Sequence, residues 1–132
     1  MTPEGTSAIV ADYARGIGRI DLKTGATAWL PLPNGKPLTG VDGLVRCGER
    51  YFGVYNGSSP GRVLSITVRA GTIEAHDIPS GSQIADPTQI TFDGKRLLVV
   101  ANSGWQGAGT PRGRSRGSAS IMAIPLASGC NS

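Results

Sequence analysis

The chain of 132 residues is long enough for one ordinary domain, and its 20 glycines and 9 prolines favour turns over long helices. Thirteen Lys and Arg against nine Asp and Glu give a net charge of +4, but Arg112, Arg114 and Arg116 crowd one Gly- and Ser-rich stretch instead of forming a stripe interleaved with aromatics, so nucleic acid is not an expected partner. No apolar run approaches the roughly 20 residues of a membrane helix, and Met1-Thr2-Pro3-Glu4-Gly5 does not open a signal peptide, so no membrane partner is expected, while a longer parent could still have carried a signal and the compartment stays open.

In chain order, short apolar or alternating segments recur, each closed by turn residues. The pattern predicts strands over Ser7 to Tyr13, Ile17 to Leu22 and Ala26 to Leu32. It continues with Val41 to Cys47, Tyr51 to Tyr55, Arg62 to Val68 and Ile73 to Ile78, and ends with Thr88 to Phe92, Arg96 to Ala101 and Ser120 to Leu126. The dipeptides Asn34-Gly35, Asn56-Gly57 and Asp93-Gly94 are hairpin signals. No segment carries a helical apolar stripe, so an all-β protein is expected.

The strands also recur in groups. Val10-Ala11-Asp12-Tyr13 returns as Val54-Tyr55-Asn56-Gly57 and as Val100-Ala101-Asn102-Ser103, at a period of about 45 residues. Val41-Asp42-Gly43-Leu44 returns as Ala85-Asp86-Pro87-Thr88. That period suits the four-stranded antiparallel blades of a β-propeller and not an immunoglobulin-like sandwich. The reading divides the chain into strands two to four of one blade (1–35), a complete blade (36–80), strands one to three of a last blade (81–127) and a tail (128–132). About three blades are half of a six-bladed ring. Because rings run from about four to eight blades, a longer parent or a homodimer would have to close one.

In that arrangement the plain turns Lys23-Thr24-Gly25, Cys47-Gly48-Glu49, Ala70-Gly71 and Asp93-Gly94-Lys95 fall at one end of the blades. The other end receives Asp42, Asn56, Arg62, Asp86, Asn102 and Trp105, which makes these the candidate ligand-binding residues. Asp42 and Asp86 both stand at the entrance of an innermost strand, and two carboxylates facing one channel suit a hard divalent cation of the Ca, Mg or Zn class. The bland alternative is that each caps a turn by accepting nearby backbone N–H groups. Trp105 could stack a sugar or an aromatic ligand, or wedge between blades. The Arg-bearing stretch around it reads as a flexible loop that could attract an anion.

Asp42-Gly43-Leu44, then Tyr51 to Gly57, then Gly61-Arg62-Val63-Leu64, resembles one blade of the regucalcin and gluconolactonase family of six-bladed propellers. Asp86-Pro87-Thr88 leading to Val100-Ala101-Asn102-Ser103-Gly104-Trp105 resembles another, and the likeness runs from about Ile9 to Leu126. The resemblance implies a divalent-metal-dependent hydrolase of sugar lactones, with Asp42 at the position of one metal ligand. The family's ligating Glu and Asn have no match here, since Asn56 and Asn102 end second strands, so the isolated chain is not expected to be a competent lactonase. A non-catalytic propeller that binds a small molecule or a protein on the same face is the alternative.

Other signals are weaker. Gly57-Ser58-Ser59-Pro60-Gly61 matches G-x-S-x-G literally, but strands flank both sides where a nucleophile elbow needs a helix, so a hairpin loop is expected. His76 falls on an outer strand and reads as a surface residue. Cys47 and Cys130 are compatible with one disulfide or with two unrelated thiols, and they do not settle the compartment.

Overall fold

The computed structural model describes residues 1–2, 4–80, 84–103, 119–126 and 130. Among them there is no helix, and the alternating segments become three antiparallel sheets taken in chain order. The first sheet is β1 (Ser7–Asp12), β2 (Gly16–Asp21) and β3 (Thr27–Leu30). The second is β4 (Val41–Cys47), β5 (Arg50–Tyr55), β6 (Arg62–Val68) and β7 (Ile73–Ile78). The third is β8 (Ile90–Phe92), β9 (Arg96–Asn102) and β10 (Ser120–Pro125). Within each sheet every strand pairs with its neighbour in sequence.

The turns are closed by one repeated device. The Asp12 carboxylate accepts the backbone N–H groups of Ala14 and Arg15, and Asp21 accepts those of Lys23 and Thr24. Asp93 does the same for Lys95 and Arg96. An aspartate thus bonds its own backbone two and three residues on, as such turns require. The Lys95 N–H, followed by the Arg96 side chain, holds the Asp93 carboxyl down at about 2. Asp93-Gly94 makes the expected hairpin, with Gly94 at φ 98°. Asn34-Gly35 differs from expectation. It turns the chain between the first and second sheets and joins no paired strands, because β3 and β4 belong to different sheets.

Strand alternation gives each sheet two faces, and the buried ones meet in sequence order. Ile9, Ile17 and Leu30 of the first sheet pack against Tyr51, Leu64, Ile66 and Ile73 of the second. On the other face of the second sheet, Phe52, Val54 and Val63 pack against Ile90, Leu97, Val99 and Ala101 of the third. Each of these larger side chains contributes roughly 1.5–3 kcal/mol by leaving water. The faces also shift one repeat by a residue. Val54, opposite Val63, turns toward the next sheet, and in the first sheet it is Ala11, opposite Ile17, that does so, not Val10.

The second sheet and the lead-in to the third come into close backbone contact at Gly43. A Cβ there would lie 2.9 Å from Gln89 Cα, 3.0 Å from Thr88 O and 3.1 Å from Ile90 N, all backbone atoms that cannot swing aside. The glycine is needed for space, since its φ is not in the left-handed region. A disulfide adds a covalent tie. Cys47, at the end of β4, is bonded to Cys130, past β10, across a sequence separation of 83.

Two outcomes follow from these contacts. Gly43→Ala is expected to lower the unfolding free energy by about 2–4 kcal/mol in urea titrations, while Gly71→Ala, where a Cβ meets nothing within 4 Å, changes it by no more than about 0.5 kcal/mol. Cys130→Ser, or reduction of the wild type, is expected to lower stability by roughly 4 kcal/mol, because opening so long a covalent loop restores freedom to the unfolded chain.

Candidate functional site

The candidate residues fall in two groups, one where β4 begins and β5 ends and one where the lead-in to β8 meets the end of β9. In β4 the pairing steps from Val41 opposite Tyr55 to Leu44 opposite Gly53, so three residues advance against two. The extra residue makes a bulge at Asp42-Gly43. Bulges of this kind re-aim side chains at the end of a sheet and are common beside binding sites. The third sheet is entered differently: Asp86 forms an isolated parallel bridge with Asn102, ahead of the antiparallel ladder in which Ile90 stands opposite Val99. The strand β8 starts at Ile90 and not at Thr88, although the Thr88 N–H donates to Val100 O at 3.3 Å and Gln89 O accepts the Val100 N–H at 2.9 Å.

In the second sheet the bulge leaves Asp42 exposed. Asn56, just past β5, donates its Nδ2–H to Asp42 Oδ2 at 3.2 Å. With the amide nitrogen so engaged, Asn56 Oδ1 points the other way, and it is buried with no donor among the described residues. A buried carbonyl left so costs about 1–3 kcal/mol until something donates to it. The backbone beneath is tightly pinned. Gly40, at φ 82°, donates its N–H to Tyr13 O at 2.8 Å and accepts the Asn56 N–H at 3.0 Å.

The third sheet uses equivalent residues differently. Asp86 is 4% exposed, and its Oδ2 accepts the Ser103 hydroxyl at 2.5 Å. Its backbone is held twice more, by Asp86 N–H to Ala101 O and Ser103 N–H to Asp86 O. Asn102 is half-buried beside it. Asp86 is therefore an internal brace of the strand entrance, whereas Asp42 presents a carboxylate to solvent.

Arg62 lies at the same end but is already engaged. Its guanidinium bonds both carboxylate oxygens of Asp77, at 3.1 and 3.3 Å, and its Cζ sits 4.4 Å over the Tyr55 ring. Trp105 and the Arg-bearing stretch fall outside the described residues. Ser58 donates to Pro60 O at 2.9 Å within its own loop, which joins β5 to β6, and His76 is exposed on β7. Sequence reasoning missed Ser103 as the partner of Asp86, and it missed the bulge. The signal for the first was present, since Ser103 directly follows the repeated Asn.

Among the described residues no three of His, Cys, Asp and Glu come together as a metal cluster. The oxygens that do meet, the Asp42 carboxylate and the Asn56 carboxamide, are two hard donors, short of the six to eight that calcium takes. These residues by themselves do not fit a complete metal centre. What they form is a polar pair, with an exposed carboxylate and a buried carboxamide oxygen that has no donor among the described residues.

The two aspartates are expected to separate on substitution. Asp86→Ala should lower stability by about 2–3 kcal/mol in denaturant titrations, because it strands Ser103 and leaves a hole at the strand entrance. Asp42→Ala should lower it by no more than about 1 kcal/mol, its one bond being at the surface. Equal losses would make both residues structural. In comparisons with known proteins, no family model, no curated protein and no solved structure matches this chain.

Proposed function

We propose that the three sheets are consecutive blades of a β-propeller and that the end carrying Asp42 and Asn56 binds a small polar molecule, without itself performing a reaction. The observation that carries this reading is the acceptor set. Asp42 offers a solvent-facing carboxylate, and the buried Asn56 Oδ1 has no donor among the described residues. A hydroxyl-rich ligand such as a sugar or its lactone supplies O–H donors to both kinds of oxygen. The sequential stacking of antiparallel sheets supports the propeller part of the reading, because a propeller gathers the ends of its inner strands around one axis.

A second reading keeps the lactonase chemistry implied by the gluconolactonase resemblance. Its support is Asp42, which stands at the family's Asp-Gly position and is exposed. In it, Asp42 and Asn56 would hold a divalent cation together with oxygens from elsewhere, and the cation would supply Lewis acidity at the lactone carbonyl.

Calorimetric titration with glucono-1,5-lactone and with a matched open-chain polyol, each in EDTA and in calcium, separates the two. The binding reading expects heat in EDTA and affinity reduced about tenfold or more by Asp42→Ala, as loss of a charge-assisted hydrogen bond predicts. Lactone hydrolysis that appears only with the metal and disappears in EDTA would replace it with the second reading. No heat under either condition would refute both.

A further inference from the structure

The described sheets stack with a constant polarity, and that polarity leaves one face unused at each end. In the first sheet Ile9, Ala11 and Ile17 look toward the second, and in the second Phe52, Val54 and Val63 look toward the third. The corresponding forward side of the third sheet follows from its register. Leu98 stands opposite Thr91 and Ala123, and Val100 opposite Ile121, on the side away from the Leu97, Val99 and Ala101 that fill the core. Leu98, Val100 and Ile121 line a shallow recess of about 240 Å³ there, and Ile121 is 74% exposed.

The backward side of the first sheet is apolar too. Val10, Gly18 and Trp29 lie opposite one another across the three strands, and Ala8 and Ile20 form the next row. The Trp29 ring covers Gly18, where an added Cβ would come within 3.0 Å of it, and Trp29 itself is 40% exposed. Both internal interfaces join a forward face to a backward face. The two unused faces are one of each kind, and both are apolar.

We infer that a second copy of this chain covers these faces, head to tail. The forward face of one copy's third sheet meets the backward face of the other's first sheet, and the reverse contact closes the pair. The occupant follows from continuity with the interfaces already present, since among the described residues each covered forward face is covered by a backward face of this same chain. Two copies with three sheets each make a closed set of six, within the range that β-propellers adopt. A heterologous contact of this kind must close, or it grows into a filament. The inference rests on the stacking part of the proposed reading and not on ligand binding, so either can fail alone.

The test is solution mass by size exclusion with light scattering, at micromolar concentration. A single species of twice the 13.6 kDa chain mass is expected. Ile121→Lys and Ala8→Glu should each weaken self-association at least about a hundredfold, because each buries an unpaired charge. Far-UV circular dichroism checks that each variant is folded, and Trp29→Lys, beside the like-charged Arg15, replaces Ala8→Glu if that variant is not. A folded wild-type monomer or an open-ended ladder of masses overturns the proposal. So does a dimer sensitive to Ile121→Lys but not to changes on the first sheet, which would pair like faces. Lactone titration of the wild type reports on ligand binding whichever result appears.

Discussion

At Gly43 the second sheet and the lead-in to the third come closer than a Cβ would permit, and the core between those two sheets depends on that approach. The first strand of the second sheet lies against the lead-in to β8 with main-chain atoms in the space a methyl group would need. This proximity sets the distance between the two sheets, and hence which residues can form the core between them. Phe52, Val54, Leu97 and Val99 fill that gap because the glycine has fixed its width. The Asp-Gly pair therefore serves two ends. The glycine brings the sheets together, and the bulge it sits in turns the aspartate outward.

The strand entrances of two consecutive sheets place their aspartates differently. In the second sheet Asp42 ends in solvent with a single bond from Asn56, while in the third Asp86 is buried and braced by Ser103. A repeated sequence motif thus leaves one aspartate exposed and the other buried as a brace, which is why the motif alone could not tell the two apart.

Strand positions were legible because each strand is short, alternating and bounded by turn residues, and all ten appear within a residue or two of where the pattern puts them. Faces were less legible. The Val10 repeat looked in register with Val54, yet one residue of offset reverses every side chain, and only pairing with β2 showed that Ala11 is the inward residue. Asn34-Gly35 carried a hairpin signal but no information about which sheet its flanking strands would join. At the candidate site, the placing of Asp42 with Asn56 and of Asp86 with Asn102 was readable from the repeat. The burial of Asp86 and the engagement of Arg62 with Asp77 were not, because both depend on contacts between strands whose register local sequence does not encode. The pairing of Cys47 with Cys130 lay beyond reach for the same reason, with 83 residues between them.

That disulfide also changes what a broken chain would be. Because it joins positions 47 and 130, every peptide bond between them lies inside a covalent ring. A protease that cuts once within the ring opens it without releasing a fragment, and the third sheet stays tethered to the second. Such a nicked molecule keeps its mass on a non-reducing gel and falls into two pieces only when the sulfurs are reduced. The long segment before β10 is thus placed where a single cleavage separates nothing.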